Sequence, residues 1–224
     1  MSNFLIYFGG ATILGFLIHY ILKFIKHKSL YPFMPFKYNF RRRRVTFAKV
    51  LKLLTERKAK VIVETGTSRE GLKATRGDGA STFVFGKWAS LNDAKLYSVD
   101  LNVDAVNECK TEVKKQQLQN YISVILSDSL EYLNAFEDKI DLLYLDSYDY
   151  SKTDTEIQRK SQEHHLQEFK NAEKKLHKDT IVLIDDCGLP AGGKGKLTIE
   201  YMKSKNWKVL IDAYQVLLIH KNSI

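Results

Sequence analysis

Short apolar segments alternate with amphipathic helical segments along most of this chain, and this alternation constrains the fold more than any other feature. Five apolar segments end near Glu64, Asp100, Leu126, Asp146 and Asp185. Strands that are separated by helices rather than by tight turns pair in parallel, and helices then cover both faces of the sheet. The C-terminal segment "WKVLIDAYQVLLIH" instead offers two strands without room for a crossover helix, so these two must be antiparallel. The sequence predicts an α/β, Rossmann-like, doubly wound sheet of seven strands, mostly parallel, with an antiparallel C-terminal pair.

The positive charge of the chain lies almost entirely at its N-terminus. The formal net charge is +9, yet residues 1–44 hold eight basic and no acidic residues, so residues 45–224 are nearly neutral. A neutral body has no basic face that would follow a phosphate backbone, and we expect no nucleic-acid partner. The two cysteines, Cys109 and Cys187, form neither a disulfide framework nor a zinc motif.

The N-terminal segment combines an apolar run with these bases. Nineteen residues from Phe4 to Leu22 carry no formal charge, which is close to the length of a membrane-spanning helix. We therefore expect an anchor at residues 1–28, a basic juxtamembrane linker at 29–44 and one folded domain at 45–224. Because the bases follow the apolar run, the domain of such a single-pass protein would face the cytoplasm. A buried apolar helix is the alternative for the run. For Arg41–Arg44 the alternatives are headgroup binding and a nuclear signal.

Polar residues at the ends of the first three strands describe a nucleoside pocket. In an open parallel sheet, ligands bind beyond the carboxyl ends of the strands. Glycines at a strand-to-helix turn let the backbone approach a ligand, and an acid after the second strand can accept both hydroxyls of a ribose. An N-cap of the next helix is an equally good reading of Asp128. The candidate cofactor-binding residues are Glu64, Gly66, Thr67, Ser68, Gly79, Ser81, Asp100, Ser127 and Asp128.

Three carboxylates follow the fourth and fifth strands. Asp146 ends "IDLLYLD", and Asp185 and Asp186 end "TIVLIDDC". The two strands should be neighbours, so the carboxylates would converge and repel each other unless one is protonated or a cation lies between them. Oxygen ligands of this kind suit Mg²⁺, Mn²⁺ or Ca²⁺. The alternative is that one aspartate caps a helix and another faces water. If both Asp185 and Asp186 reach one cation, the chain must turn at Asp186.

The order and spacing of these motifs resemble the class I S-adenosylmethionine-dependent methyltransferases over residues 45–220. "VETGTS" with "GDGAST" resembles the glycine-rich first motif of that family, and "YSVD" resembles its ribose-binding motif. "YLDSYDY" and "LIDD" resemble the divalent-metal-dependent O-methyltransferases of the macrocin and catechol types. The resemblance implies S-adenosylmethionine as cofactor and Mg²⁺ as the cation. The metal ligands that it implies are Asp146, Asp185 and Asp186.

The implied reaction is transfer of the sulfonium methyl group to an oxygen of a hydroxylated small molecule or sugar. A bound metal would lower the pKa of that hydroxyl and fix its position beside the methyl group. The catalytic candidates are Asp146, His164 and His165, because imidazole titrates near neutral pH and suits a general base. Two alternatives stay open: a nicotinamide-dependent oxidoreductase that uses Asp100 for its ribose, and a non-catalytic binding module. The sequence does not indicate an oligomeric state.

Overall fold

The computed structural model describes residues 2–223, with side chains for all of them except residues 2–9 and 11. Seven strands and seven α-helices alternate through this part of the chain. The helices are α1 (Ser2–His27), α2 (Arg44–Glu56), α3 (Ser81–Asn92), α4 (Val103–Lys115), α5 (Ser129–Ala135), α6 (Thr155–Ala172) and α7 (Lys196–Ser204). The strands are β1 (Val61–Thr65), β2 (Lys95–Asp100), β3 (Ile122–Leu126), β4 (Ile140–Leu145), β5 (Leu176–Ile184), β6 (Trp207–Asp212) and β7 (Val216–His220).

The strands form one sheet in the order β3-β2-β1-β4-β5-β7-β6. The first five are parallel, whereas β7 pairs antiparallel with both β5 and β6. The predicted sheet of seven strands and the antiparallel C-terminal pair are therefore confirmed. The strand order reverses between β1 and β4, which is where an open parallel sheet forms a crevice for ligands.

Two apolar clusters cover the two faces of this sheet. The first joins α2, α3 and α4 to the sheet through residues such as Phe47, Trp88 and Tyr144. The second joins α6 and α7 to the opposite face through residues such as Phe169 and Met202. All five of these side chains are completely buried, because a parallel sheet exposes neither face to water. The strand ends are thereby held in fixed positions along one edge.

The segment predicted as a linker contributes to this core. Leu30, Met34 and Phe40 are buried against α2, and the ring of Phe40 meets that of Phe47 edge to face at 5.9 Å between centroids. A short 3₁₀ helix, Arg41–Arg43, then leads directly into α2. Residues 29–44 are thus packed onto the domain, and this packing fixes the position of Arg43.

The predicted membrane anchor is not supported. Met1 and the side chains of residues 2–9 and 11 lie outside the described residues, and they include the first half of the apolar run. Within residues 2–223 we find no helix with the length and the apolar character needed to cross a membrane.

Candidate active site

Gly66 brings the ends of β1 and β4 together at the centre of the sheet edge. Its φ of +85° is a conformation that favours glycine, and a Cβ at this position would lie 2.5 Å from the carbonyl oxygen of Asp146. Its backbone N–H donates to the carbonyl of Val99, 2.8 Å away. Gly66 thus lets three adjacent strand ends, β2, β1 and β4, meet without intervening side chains. It lines both cavities described below.

Glu64 ties β1 to the turn and to α3 instead of lining a cavity. The side chain is completely buried, and it accepts hydrogen bonds from the hydroxyls of Ser81, Thr82 (2.7 Å) and Ser98 (2.6 Å). Burial raises the pKa of Glu64 to about 7, although the three hydroxyls act in the opposite direction. Glu64 was predicted to bind the cofactor, and in the structure its carboxylate holds Ser81, Thr82 and Ser98 in place.

The first cavity, of about 440 Å³, lies beyond the ends of β1, β2, β3 and β4. Asp100 lines it at the end of β2, and its carboxylate accepts the backbone N–H groups of Thr67 (3.0 Å) and Asn102 (2.8 Å). Asp128 also lines this cavity and caps α5 by accepting from the N–H groups of Leu130 and Glu131. The N-cap reading of Asp128 is therefore confirmed, and the same residue also lines the cavity.

The three predicted carboxylates do converge beside the first cavity. Parallel pairing sets Leu145 of β4 beside Ile184 of β5, so Asp146 and Asp185 leave the sheet as neighbours. Asp186 has a φ of +53°, so the chain turns at this residue as predicted. A second, polar cavity of about 210 Å³ lies here, and Asp146 and Asp186 line it. It adjoins the first cavity, because Gly66, Arg69 and Asp149 line both.

Arg43 is one of two protein cations that neutralise this carboxylate cluster. Its Nε donates to Oδ2 of the fully buried Asp185 at 2.6 Å, and its Nη2 lies 3.4 Å from Oδ1 of Asp186. Nη1 donates to the carbonyl of Gly77 at 2.7 Å, so the guanidinium also holds the loop before α3. Tyr144 donates its hydroxyl to the same Asp185 oxygen at 2.6 Å. Asp185 is therefore fully occupied by protein donors.

Lys194 is the second cation. Its Nζ lies 2.8 Å from Oδ1 of Asp146 and 3.4 Å from Oδ2 of Asp186, with the lysine side chain only 4% exposed. Burial alone would lower the pKa of Lys194, but Asp146 and Asp186 outweigh burial and raise it above its ordinary value. Burial raises the pKa of Asp146 well above its ordinary value, whereas Lys194 and Tyr214 hold the pKa of Asp186 below its own.

These contacts do not fit the divalent metal that the resemblance implied. Among residues 2–223, no group of three or more histidine, cysteine or acidic side chains has the arrangement of a metal site. The reason lies in the donor set, because an ammonium and a guanidinium already occupy the carboxylate oxygens that a metal would need. The convergence of Asp146, Asp185 and Asp186 was predicted correctly. A divalent cation at these aspartates is not shown, and their partners in the structure are Arg43 and Lys194.

The two histidines of α6 occupy different environments. His164 lines the first cavity, with Nε2 3.2 Å from the Ser129 hydroxyl and 3.3 Å from Oε1 of the buried Glu168. Burial opposes its protonation, but Glu168 raises the pKa of His164 above its ordinary value. His165 is completely buried, and burial lowers its pKa to about 4. Neither histidine lines the cavity that holds the carboxylate cluster.

Of the remaining residues that were predicted to bind the cofactor, some line the second cavity and others line neither cavity. Thr67, Ser68 and Ser81 line the second cavity. Gly79 and Ser127 line neither cavity: Gly79 packs closely against the side chain of Arg43, and the Ser127 hydroxyl donates to the carbonyl of Asp128 at 3.2 Å.

Sequence reasoning missed Arg43, Lys194 and Tyr214. Arg43 was interpreted as part of a basic linker. Lys194 stands in "GGKGK", which predicts only a turn into a helix. The structure shows why a glycine precedes Lys194: the φ of Gly193 is +59°, and any Cβ would collide with the carbonyl of Asp186, so the glycine lets the loop carry Lys194 to the aspartates.

The sheet order, the ribose-type acid after β2 and the glycine turn after β1 together define a class I S-adenosylmethionine-dependent methyltransferase fold. A family model described as "Methyltransferase domain" matches residues 76–187, which is half of the chain. The chain belongs to this methyltransferase family. The match runs from the loop before α3 to the residue after Asp186, so it includes both Asp100 and the carboxylate cluster.

Solved structures of methyltransferases share this fold. A methyltransferase from Podospora anserina, bound to S-adenosylhomocysteine (SAH), has a TM-score of 0.59 and 14% identity over 90% of this chain and 87% of that chain. An O-methyltransferase from Bacillus cereus in complex with SAH has a TM-score of 0.56 and 10% identity, covering 81% and 83%. TrmK from M. capricolum, bound to its natural cofactor product S-adenosylhomocysteine, has a TM-score of 0.53 and 19% identity, covering 80% and 68%. No curated protein sequence matches the chain.

Proposed function

We propose that this protein transfers a methyl group from S-adenosylmethionine to a hydroxyl oxygen of a polar small molecule. The observation that carries this proposal is the pair of adjoining cavities at the strand ends, one lined by Asp100 and the other by the Asp146–Lys194 ion pair. A transferase needs its donor and acceptor side by side, so that the reacting atoms meet without diffusion.

The first cavity suits the adenosyl part of the cofactor. Asp100 would accept the ribose hydroxyls, and Asp128 and Ser129 lie where the base would sit. Gly66, at the junction of the cavities, leaves room for the methyl-bearing end to face the second cavity. S-adenosylmethionine supplies the electrophilic methyl group. The structures of the Podospora anserina and Bacillus cereus proteins with bound S-adenosylhomocysteine support the same ligand for this chain.

The second cavity suits a hydroxylated acceptor. Its lining is almost entirely polar and includes Asp78, Asp146, Lys194 and Tyr214. We place the acceptor oxygen beside the Lys194 ammonium, which favours the developing oxyanion. Asp146 takes the hydroxyl proton, since burial raises its pKa toward that of an effective base. The oxygen forms a bond to the methyl carbon as the carbon–sulfur bond breaks, which leaves a methyl ether and S-adenosylhomocysteine.

Positive charge beside the acceptor is provided here by Lys194 and Arg43. The resemblance to metal-dependent O-methyltransferases suggested a divalent cation for this task. Both protein cations already bind the oxygens that such a cation would use, with contacts of 2.8 Å from Lys194 and 2.6 Å from Arg43. We therefore propose that methyl transfer by this protein needs no added divalent cation.

Transfer of a labelled methyl group tests this proposal. The full-length protein is incubated with methyl-tritiated S-adenosylmethionine and separate panels of hydroxylated and amine acceptors, with and without EDTA. We expect label in a hydroxylated acceptor at equal rates with and without EDTA. Transfer to amines alone would overturn the assignment of oxygen as the acceptor atom. Loss of activity in EDTA would overturn the proposal that methyl transfer needs no divalent cation.

The Asp146→Asn variant tests the proposed base. A general base typically contributes a factor of about 10²–10⁴ to the rate, so we expect kcat to fall by at least about 100-fold. The affinity for S-adenosylhomocysteine should change little, because Asp146 is not among the residues that line the first cavity. Asp212→Asn is a matched control, since Asp212 is exposed and lines neither cavity. A kcat close to that of the wild type in Asp146→Asn would remove this residue from the mechanism.

A further inference from the structure

A third cavity lies away from the strand ends, between α1 and the loop that precedes α3. Its volume is about 450 Å³, within the range of small-ligand sites. Five basic side chains line it: Lys23, Lys26, Lys37, Lys73 and Arg76. They come from three separate segments of the chain, so the fold gathers them at one place.

The charge of this cavity is not neutralised within the described part of the protein. No aspartate or glutamate is among its lining residues, and none of the five bases forms a salt bridge within residues 2–223. Like charges gathered around one cavity repel each other, whereas an anion bound among them is attracted to each of them. The gathering of five bases therefore costs free energy unless an anion binds.

Two histidines extend the same wall, and one of them has an unsatisfied polar atom. His19 and His27 both line the cavity. His27 is 4% exposed, and its Nδ1 is buried without a hydrogen-bond partner. Burial and the nearby Arg44 and Lys26 lower the pKa of His27, so its ring is neutral near pH 7. Buried polar atoms normally find a partner, and a bound ligand would supply one here.

We propose that this cavity binds the phosphate group of an anionic ligand. A phosphate carries close to two negative charges and three acceptor oxygens, which suits several lysine and arginine donors that converge from different directions. The cavity uses no residue of the proposed active site, so this inference goes beyond the methyl-transfer function. The ligand is either a free phosphate compound or a phosphate headgroup on a lipid surface, and both present the same chemistry to these bases.

The position of the cavity links it to the active site through one loop. Lys73 and Arg76 stand in the loop between β1 and α3, immediately before Gly77 and Asp78. Gly77 accepts a hydrogen bond from Arg43, and Asp78 lines the second cavity. A ligand on Lys73 and Arg76 therefore contacts the segment that also borders the proposed acceptor.

Binding of inorganic pyrophosphate tests the proposal. Titration calorimetry with the full-length protein is compared for wild type, Lys23→Glu/Lys26→Glu and Lys73→Glu/Arg76→Glu. The matched control is Lys203→Glu/Lys208→Glu, two exposed lysines outside this cavity. We expect saturable binding that weakens at least tenfold in both cavity variants and stays unchanged in the control. Lys23→Arg/Lys26→Arg keeps the charge and should bind like wild type, which separates loss of charge from loss of folding.

Vesicles distinguish the two sources of phosphate. Sedimentation with phosphatidylcholine vesicles, alone or with phosphatidic acid, is measured for the same variants. A free phosphate compound is supported if the wild type binds pyrophosphate but does not sediment with vesicles that contain phosphatidic acid. A lipid headgroup is supported if the wild type sediments with phosphatidic acid vesicles, if pyrophosphate prevents this sedimentation, and if the cavity variants do not sediment. The proposal would be overturned if the control variant lost as much binding as the cavity variants. It would also be overturned if the wild type bound neither pyrophosphate nor phosphatidic acid vesicles.

Discussion

Lys194 determines the chemistry of the carboxylate cluster at the scale of single residues. Three aspartates at adjacent strand ends would bind a divalent cation if their oxygens were free, and the sequence alone gives no reason to expect otherwise. The structure inserts an ammonium 2.8 Å from Asp146 and a guanidinium 2.6 Å from Asp185. Arg43 is 142 residues from Asp185 in sequence, and Lys194 is 48 residues from Asp146. Their contacts depend on tertiary packing, so residue patterns near the strand ends could not predict them.

Lys194→Gln should convert this cluster into a metal-binding site. Removing one partner of a buried ion pair typically costs about 3–5 kcal/mol, because the remaining charge is left without compensation. We expect a lower Tm for the variant and a partial recovery of Tm on addition of Mg²⁺ or Mn²⁺, measured by thermal denaturation. The exposed neighbour Lys196 gives a matched control, Lys196→Gln. A wild-type protein that gains as much stability from Mg²⁺ as the variant would contradict this account.

The His164–Glu168 pair should make stability depend on pH. His164 has a raised pKa in the folded protein, so its contribution is complete below about pH 6.5 and is lost as pH rises through the folded pKa. Glu168 has a pKa lowered to about 2, so its contribution is complete above about pH 4.5 and is lost on acidification. The free-energy difference between wild type and His164→Gln should therefore be largest between about pH 4.5 and 6.5.

Chemical denaturation at pH 5.5 and pH 8.5 measures this difference. The variant Gln167→Asn is the control, since Gln167 is an exposed residue of the same helix and carries no titratable group. Its difference from wild type should be the same at both pH values. An equal difference at both pH values for His164→Gln would show that the pair does not titrate as proposed.

At the scale of elements, periodicity predicted the strands well and the ends of some helices poorly. All seven strands were expected, because short apolar runs bounded by polar turns leave few alternatives. The residue pattern predicts this helix only from about Gln162, whereas α6 begins at Thr155, where Asp154 accepts from the N–H groups of Glu156 and Ile157. This N-cap was visible in the sequence and could have placed the start correctly. The role of Arg43 was hidden, because a run of four arginines does not show which one is buried.

Arg43→Met should therefore destabilise the protein far more than the same change at its neighbour. Arg43 compensates the fully buried Asp185, and removal of one partner from such a pair costs about 3–5 kcal/mol. Arg42 is exposed and its guanidinium lies 5.5 Å from the ring of Tyr214, so Arg42→Met should cost about 1 kcal/mol or less. Urea denaturation of both variants makes the comparison. Similar losses at the two positions would mean that Arg43 does not anchor the N-terminal segment to the strand ends.

At the scale of the whole molecule, the sheet explains why a site forms at all. Parallel strands bring all their carboxyl ends to one edge, so residues from Glu64 to Asp186 meet there although they are distant in sequence. This convergence follows from the strand order, which is why Asp100, Asp128 and Asp146 were found from the sequence. The position of the N-terminal segment does not follow from the strand order. Leu30, Met34 and Phe40 stand in the segment that was predicted as a linker, yet they pack into the core of the domain.

Titration calorimetry of the full-length protein with S-adenosylhomocysteine tests the central claim, that the cavity at Asp100 holds the cofactor. We predict one binding site per chain, unaffected by EDTA, with affinity at least tenfold weaker in Asp100→Asn. Asp212→Asn is the matched control, an exposed aspartate at the end of a strand outside the cavity, and its affinity should equal that of wild type. Absence of binding by the folded wild-type protein, or binding of a nicotinamide dinucleotide in its place, would contradict the account.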